Sequence, residues 1–223
     1  MSEWVQLTAN DGHVLDAYIA KPEKEPIAGL VVVQEIFGVN EHIRSVADSY
    51  ARDGFFVVAP ALFDRMEKHV ELKYEGEDMQ KALSFIPRLN MENSVLDVAA
   101  AIDFARKESG GKVGVIGYCL GGTLAWLSAT RLAPDAAVGY YGGRIVDYAE
   151  ESLKATVMLH FGKLDKHIPK EEVDRVQAAH PDVKIFWYDA GHGFNTNPKS
   201  SYEPNSAKLA RERSLAFLNE KLS

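Results

Sequence analysis

The chain contains a single cysteine, Cys119, set in Gly117-Tyr118-Cys119-Leu120-Gly121-Gly122. Glycines two residues before and two after a nucleophilic side chain suit a sharp strand-to-helix turn, because residues at those positions crowd the bend. A thiol on such a bend points at the N-terminus of the next helix. Free N–H groups and the helix dipole favour a thiolate there, and the N–H of Leu120 would face a developing oxyanion. The alternative is a buried, inert cysteine beside a glycine-rich turn. What favours chemistry is the rest of the set. His192, in Asp189-Ala190-Gly191-His192-Gly193-Phe194, follows a strand-like run and precedes the last helix. Asp165, in Gly162-Lys163-Leu164-Asp165, directly follows another strand-like run. A base that takes the thiol proton, held in one tautomer by a carboxylate, is what nucleophilic acyl transfer requires. Alternatives stand beside each assignment: His192 as an exposed loop histidine, and Asp165 as a turn residue capping the helix from Lys170. Asp174 and Asp189 are weaker candidates for the acid, one mid-helix and the other too near His192 in sequence.

The remaining histidines divide by context. His160 lies inside an apolar run and reads as a hydrogen-bonded core residue. His13, His42, His69 and His180 read as surface positions, and His167 neighbours Asp165, where a supporting role stays open. No spacing resembles a metal site, and no cofactor is called for. One cysteine excludes an internal disulfide and a Cys-rich zinc site. A formal net charge of -7 argues against nucleic acid and against an anionic membrane surface as partners. With no apolar signal core and no run long enough to span a bilayer, the expected location is cytoplasmic. The expected partner is a small molecule, and the expected state is a monomer or weak homo-oligomer.

The elements that must position these residues are legible as alternation. Residues 29–33, 55–59, 113–116, 136–140, 156–161 and 183–188 are short apolar runs without period-two alternation, the mark of strands covered on both faces. Helical patterns at 41–52, 94–107, 123–132, 170–179 and 206–222 separate them, with Gly54 a candidate C′ glycine. Ahead of them, strands at 5–9 and 14–20 flank Asn10-Asp11-Gly12, a hairpin signal. The whole chain, 1–223, is expected to form one α/β domain: a mostly parallel central sheet, helices on both faces, and an antiparallel hairpin at the N-terminus. Residues 61–87 are polar and weakly periodic, and read either as a lid or pocket wall or as a surface loop with one short helix. The chain order nucleophile, acid, base is that of the α/β-hydrolase fold and not of other triad folds.

Taken together, the elbow, Gln34-Glu35-Ile36-Phe37-Gly38-Val39-Asn40, Gly139-Tyr140-Tyr141-Gly142 and Gly191-His192-Gly193-Phe194 resemble the dienelactone hydrolase (carboxymethylenebutenolidase) family. The resemblance spans nearly the whole chain. It implies an ester- or lactone-opening hydrolase with a Cys119–His192–Asp165 triad and a thioester intermediate. It also implies that Glu35 pairs with the resting thiol until substrate shifts it, and that the N–H of Ile36 joins that of Leu120 in the oxyanion hole. Read alone, Glu35 is a strand-end acid in a surface salt bridge. The family's two carboxylate-binding arginines align here with Met79 and Thr196, and Arg65, Arg88 and Arg144 are candidate substitutes. A non-hydrolytic binding or redox-sensing protein on the same scaffold is the alternative function, since an exposed reactive thiol also oxidises readily.

Overall fold

The structure, a computed structural model, describes residues 2–223. The valine run becomes β3 (Ala28–Val33), inside an eight-stranded sheet of order β1-β2-β4-β3-β5-β6-β7-β8. Every residue of β3, β4 (Phe55–Pro60) and β5 (Val113–Tyr118) is buried, as two covered faces demand. β6 (Ala136–Tyr140), β7 (Thr156–Gly162) and β8 (Lys184–Tyr188) continue the parallel register from β5 outward. β1 (Ser2–Thr8) and β2 (Val14–Ala20) form the hairpin, and β2 joins β4 antiparallel. Gly12, at φ +84°, makes the turn. β1 starts at Ser2 instead of residue 5 because its ladder runs from Ser2↔Ala20 to Thr8↔Val14; backbone pairing with β2, not its own apolar pattern, sets its length.

Alternate residues of β3 face opposite layers. Leu30 and Val32 pack with Ile43 and Tyr50 of α1 (Glu41–Arg52) and with Phe217 and Leu218 of α6 (Pro204–Leu222). Val31 and Val33 pack with Val98 and Ile102 of α3 (Met91–Ser109) and with Leu124 of α4 (Leu120–Arg131). Each such fully buried valine contributes on the order of 1.5–3 kcal/mol relative to exposure. Gly54, at φ +103°, follows the C-cap of α1. Helix starts differ from the sequence expectation where caps decide them. Asn90 accepts the N–H of Asn93 and starts α3 at Met91, while Glu203 accepts those of Asn205 and Ser206 and starts α6 at Pro204. α4 begins at Leu120, not Thr123, with Cys119 as its N-cap. α5 (Lys170–Ala179) lies between β7 and β8.

Residues 61–87 form a wall with a small core of its own. Single 3₁₀ turns at Leu62–Arg65 and Ile86–Arg88 flank α2 (Gly76–Phe85). Phe63, Val70, Leu72, Ala82 and Phe85 cluster there with Phe37 from the loop after β3. The Asn40 side chain donates to Leu72 O at 2.9 Å, and Gly38 pairs with Glu71 across an isolated bridge. Among the described residues no helix is long and apolar enough to cross a membrane.

The strand order also fixes where a ligand can bind. β4 and β5 lie on opposite sides of β3, so the connections after β3 and β5 turn in opposite directions. Such a switch point leaves a crevice at the carboxyl ends of the strands.

Candidate active site

Cys119 stands at that crevice, directly after β5 and before α4. Its backbone is at φ +54°, ψ -114°, a region L residues adopt only under constraint. The constraint is visible at the two glycines. A Cβ on Gly117 would lie 1.8 Å from Gly121 O, and one on Gly121 would lie 2.3 Å from Val33 O. The bend therefore closes only with hydrogen at both positions. The Cys119 N–H donates to Tyr140 O at 3.0 Å, which ties the bend to β6.

His192, in the loop between β8 and α6, places Nε2 3.2 Å from Cys119 Sγ and Nδ1 2.7 Å from Asp165 Oδ2. The other Asp165 oxygen accepts the His167 N–H at 2.8 Å. Asp165 does not cap α5, whose N-cap is Pro169; its side chain is 1% exposed. Burial works against the charged ring of His192, but Asp165 and then Cys119 outweigh it and push the imidazolium up to about 10. Burial likewise opposes the Asp165 carboxylate, and the contacts from His192 and His167 still hold it below the usual carboxylate range. Of the weaker acids, Asp174 pairs with Lys170 and Asp189 with Lys163 in solvent.

Glu35 lies just beyond β3 and is fully buried. Its partners differ from the resemblance's expectation. Oε1 accepts from Lys199 Nζ at 3.0 Å and from Thr196 Oγ1 at 3.2 Å, and Oε2 is buried without a hydrogen-bond partner. The resting thiol pairs with His192 instead. Nor is Glu35 a surface ion pair, since its side chain is 1% exposed and that of Lys199 15%. Neither the Ile36 nor the Leu120 N–H is used in a turn, loop or cap hydrogen bond, and both residues line the same cavity as Cys119. Two unspent N–H groups beside a thiol can accept negative charge from an adding carbonyl.

The cavity encloses about 1450 Å³. The 61–91 stretch supplies one wall, in which Phe63, Met79, Leu83, Phe85, Ile86 and Leu89 form an apolar patch beside Glu71, Lys73, Tyr74 and Glu75. Thr196 lies behind the cavity, hydrogen-bonded to the Tyr141 hydroxyl at 3.2 Å as well as to Glu35. Arg44 and Arg144 line the cavity but are paired with Glu71 and Asp147. Arg65 is held by Asp11 and Asp97, and Arg88 lies over Phe85; neither lines the cavity.

The other histidines correct the expectation in part. His160 is a core residue, bridging the Tyr188 hydroxyl at 2.8 Å and Ser214 Oγ at 3.0 Å. His180 is half-buried: its ring donates to Ala149 O at 2.7 Å and meets Trp126 edge-on. His42 lines the cavity, and His13 is half-buried. Sequence reasoning missed Lys199 and Tyr74. They lie in loops without periodicity or a glycine signal, and only the fold brings them to Glu35.

The chain is similar to known proteins over nearly its whole length. The family model of the dienelactone hydrolase family matches residues 15–222. The carboxymethylenebutenolidase of Pseudomonas putida is 35% identical over 98% of this chain and 96% of its own length. Carboxymethylenebutenolidase 1 of Cupriavidus pinatubonensis is 31% identical over 98% and 97%. A crystal structure from Klebsiella pneumoniae, of a presumed dienelactone hydrolase, superposes with a TM-score of 0.83 at 27% identity, covering 97% of this chain and 98% of that one.

Proposed function

This chain belongs to the dienelactone hydrolase family and is a carboxylic ester hydrolase, and from that premise we propose that it works through a Cys119–His192–Asp165 triad and a thioester acyl-enzyme. Cys119 Sγ gives its proton to His192 Nε2 and adds to the ester carbonyl. The N–H groups of Ile36 and Leu120 receive the oxyanion. The C–O bond of the adduct breaks, and the departing oxygen takes the proton from His192. Water then attacks the thioester with His192 as base, the C–S bond breaks, and the thiol is regenerated. Asp165 keeps Nδ1 protonated throughout, so that Nε2 is the atom that exchanges protons with sulfur and leaving group.

A thiolate is itself a good leaving group, its thiol having a reference pKa of about 8.5. The tetrahedral adduct therefore returns to substrate unless the departing oxygen is also stabilised. Enol lactones and aryl esters meet that demand better than simple alkyl esters or amides. The cavity wall narrows the class further. The family's carboxylate-binding arginines align with Met79, in the apolar wall, and Thr196, behind the cavity, while Arg44 and Arg144 are already engaged by carboxylates. The substrate is accordingly an activated ester or lactone with an apolar group lying against Met79 and Leu83.

The observation that carries the reading is the unbroken chain Sγ···Nε2 at 3.2 Å and Nδ1···Oδ2 at 2.7 Å behind a strained elbow. The test is turnover of a neutral aryl ester by wild type and Cys119→Ala. A loss of about 10³-fold or more in kcat/KM is expected. Equal turnover would refute the nucleophile, and rapid alkylation of Cys119 without any ester turnover would favour the binding or redox alternative.

A further inference from the structure

Glu35 is a buried carboxylate at the mouth of β3, close to a thiol whose ionisation it would oppose if it turned toward the sulfur. Its ion-pair partner Lys199 lines the same cavity as Cys119, and Thr196 links Glu35 to the Tyr141 hydroxyl, whose ring lies 5.1 Å from that of His192. The charged and titratable groups around Glu35 and the thiol are His42 on α1, Tyr74 in the wall, Tyr141 after β6, Lys199, and His192 with Asp165 and His167 beside it. Of these, Lys199 is the one ion-paired with Glu35, at 3.0 Å.

Lys199 is held there from several sides. Its ammonium lies 5.1 Å from the ring centre of Phe37 and 5.2 Å from that of Tyr74, a position stabilised by both π faces. Its backbone N–H donates to Thr196 O, and Thr196 N–H donates to Gly193 O, so two successive turns tie it to the loop that carries His192. Thr196 fixes the same Glu35 oxygen from the other side and is itself held by Tyr141.

We infer that Lys199 is a positioning residue that holds Glu35 away from the sulfur, so that the Cys119–His192 pair is assembled before any substrate arrives. This rests on Cys119 being the nucleophile. It departs from the family pattern stated above, in which the carboxylate restrains the thiol until substrate moves it. With Glu35 committed to Lys199 and Thr196, the thiol proton has one acceptor, His192 Nε2. Without the ammonium, the Glu35 carboxylate keeps only the Thr196 hydroxyl as donor, and nothing then holds it back from turning toward the thiol.

Cys119 is the chain's single cysteine, so the rate of alkylation by iodoacetamide without substrate reports on it alone. Lys199→Met should slow alkylation at neutral pH by about tenfold or more, with the pH profile displaced upward by about one unit. Lys199→Arg, which keeps the charge, should stay within about threefold of wild type. Glu35→Gln alone leaves the Lys199 ammonium unpaired and should not slow alkylation, and Lys199→Met combined with Glu35→Gln should restore the rate that Lys199→Met loses. The inference is overturned if Glu35→Gln slows alkylation about threefold or more, which would mean that Glu35 acts on the sulfur as it stands. It is also overturned if Lys199→Met alkylates like wild type, or if the double variant stays slow. Should Lys199→Met not fold, Glu35→Gln and Lys199→Arg still decide the matter. Failure of the nucleophile reading looks different: Cys119→Ala would retain ester turnover, whatever the alkylation rates.

Discussion

Replacing Asp165 by asparagine barely alters the shape of the residue but changes what its two terminal atoms can do. Oδ1 accepts the His167 N–H at 2.8 Å, so the amide oxygen of the variant must take that place; the reverse orientation would set two donors against each other. The NH₂ group then faces His192 Nδ1, where Oδ2 now sits at 2.7 Å. A donor there forces Nδ1 to accept and moves the ring proton to Nε2, toward Cys119 Sγ. The imidazole can then no longer take the thiol's proton. The electrostatic part of the loss follows from the imidazolium, which rises from 6.5 to about 10 in the folded protein. At about 1.4 kcal/mol per tenfold that shift is worth on the order of 5 kcal/mol, shared between Asp165 and Cys119. Assigning half to the carboxylate, and discounting for a ring one-fifth exposed, leaves about 2 kcal/mol, or roughly thirtyfold. The wrong tautomer adds to this; in a serine triad the same change costs about 10⁴ in kcat. The expected fall in kcat for a neutral aryl ester is therefore between about 10² and 10⁴, with KM nearly unchanged because Asp165 touches no substrate. Initial-rate kinetics across a pH series, with thermal melting to verify folding, measures it. A variant within about fivefold of wild-type kcat, alongside an inactive His192→Gln, would show that another group orients the base and would refute the reasoning.

The elbow gives a stability prediction. Gly117→Ala would set a Cβ 1.8 Å from Gly121 O, backbone that cannot move aside without opening the bend. A loss of about 3 kcal/mol or more is expected, seen as a fall in Tm of roughly 6–12 °C, while Gly111→Ala, whose Cβ would meet nothing nearer than 4.0 Å, should leave Tm almost unchanged. A Gly117→Ala protein that melts and hydrolyses like wild type would contradict the packing described. The buried His160 sets a pH dependence. Burial, with Arg213 adding to it, lowers this ring to about 3, below its unfolded value. Its contribution is therefore complete above about 6.5 and lost as pH falls toward 3, by about 1.4 kcal/mol per pH unit from this one proton. Urea unfolding between pH 6 and 4 should show that slope, and His160→Gln should flatten it; an unaltered slope would place the acid sensitivity elsewhere. His192 has the opposite sign. Its raised pKa gives stability present below about 6.5 and lost as pH climbs through about 10, so His192→Gln should destabilise near neutrality and have little effect in strong alkali.

Much of the frame was legible in the residues. The runs around Val31 and Val115 lack alternation because both their faces are covered, and that pattern alone implied a parallel sheet between helix layers. Gly117 and Gly121 marked the elbow because local sterics at a tight bend are decided within five residues. The hydrogen-bonded set Cys119, His192 and Asp165 could be picked out because each residue lies just after an apolar run, where strand ends bring distant segments together. The wall at 61–87 was only half readable, because its cluster of Phe63, Phe85 and Phe37 draws on two separate segments and has no single period.

Glu35 marks where sequence stopped deciding. Its type and place after β3 were visible, but its hydrogen-bond partner was not. Lys199 and Thr196 stand more than 160 residues away in the chain, in a loop with no pattern to point at β3. Which ammonium meets which carboxylate, and whether His42 or His180 is covered, depends on distances between segments whose separation along the chain carries no information about their approach. Periodicity and steric punctuation are local properties, and so the sequence by itself determined the strands, the bend and the order of the triad. Pairing of buried charges is a property of the packed chain, and only the tertiary structure decided it.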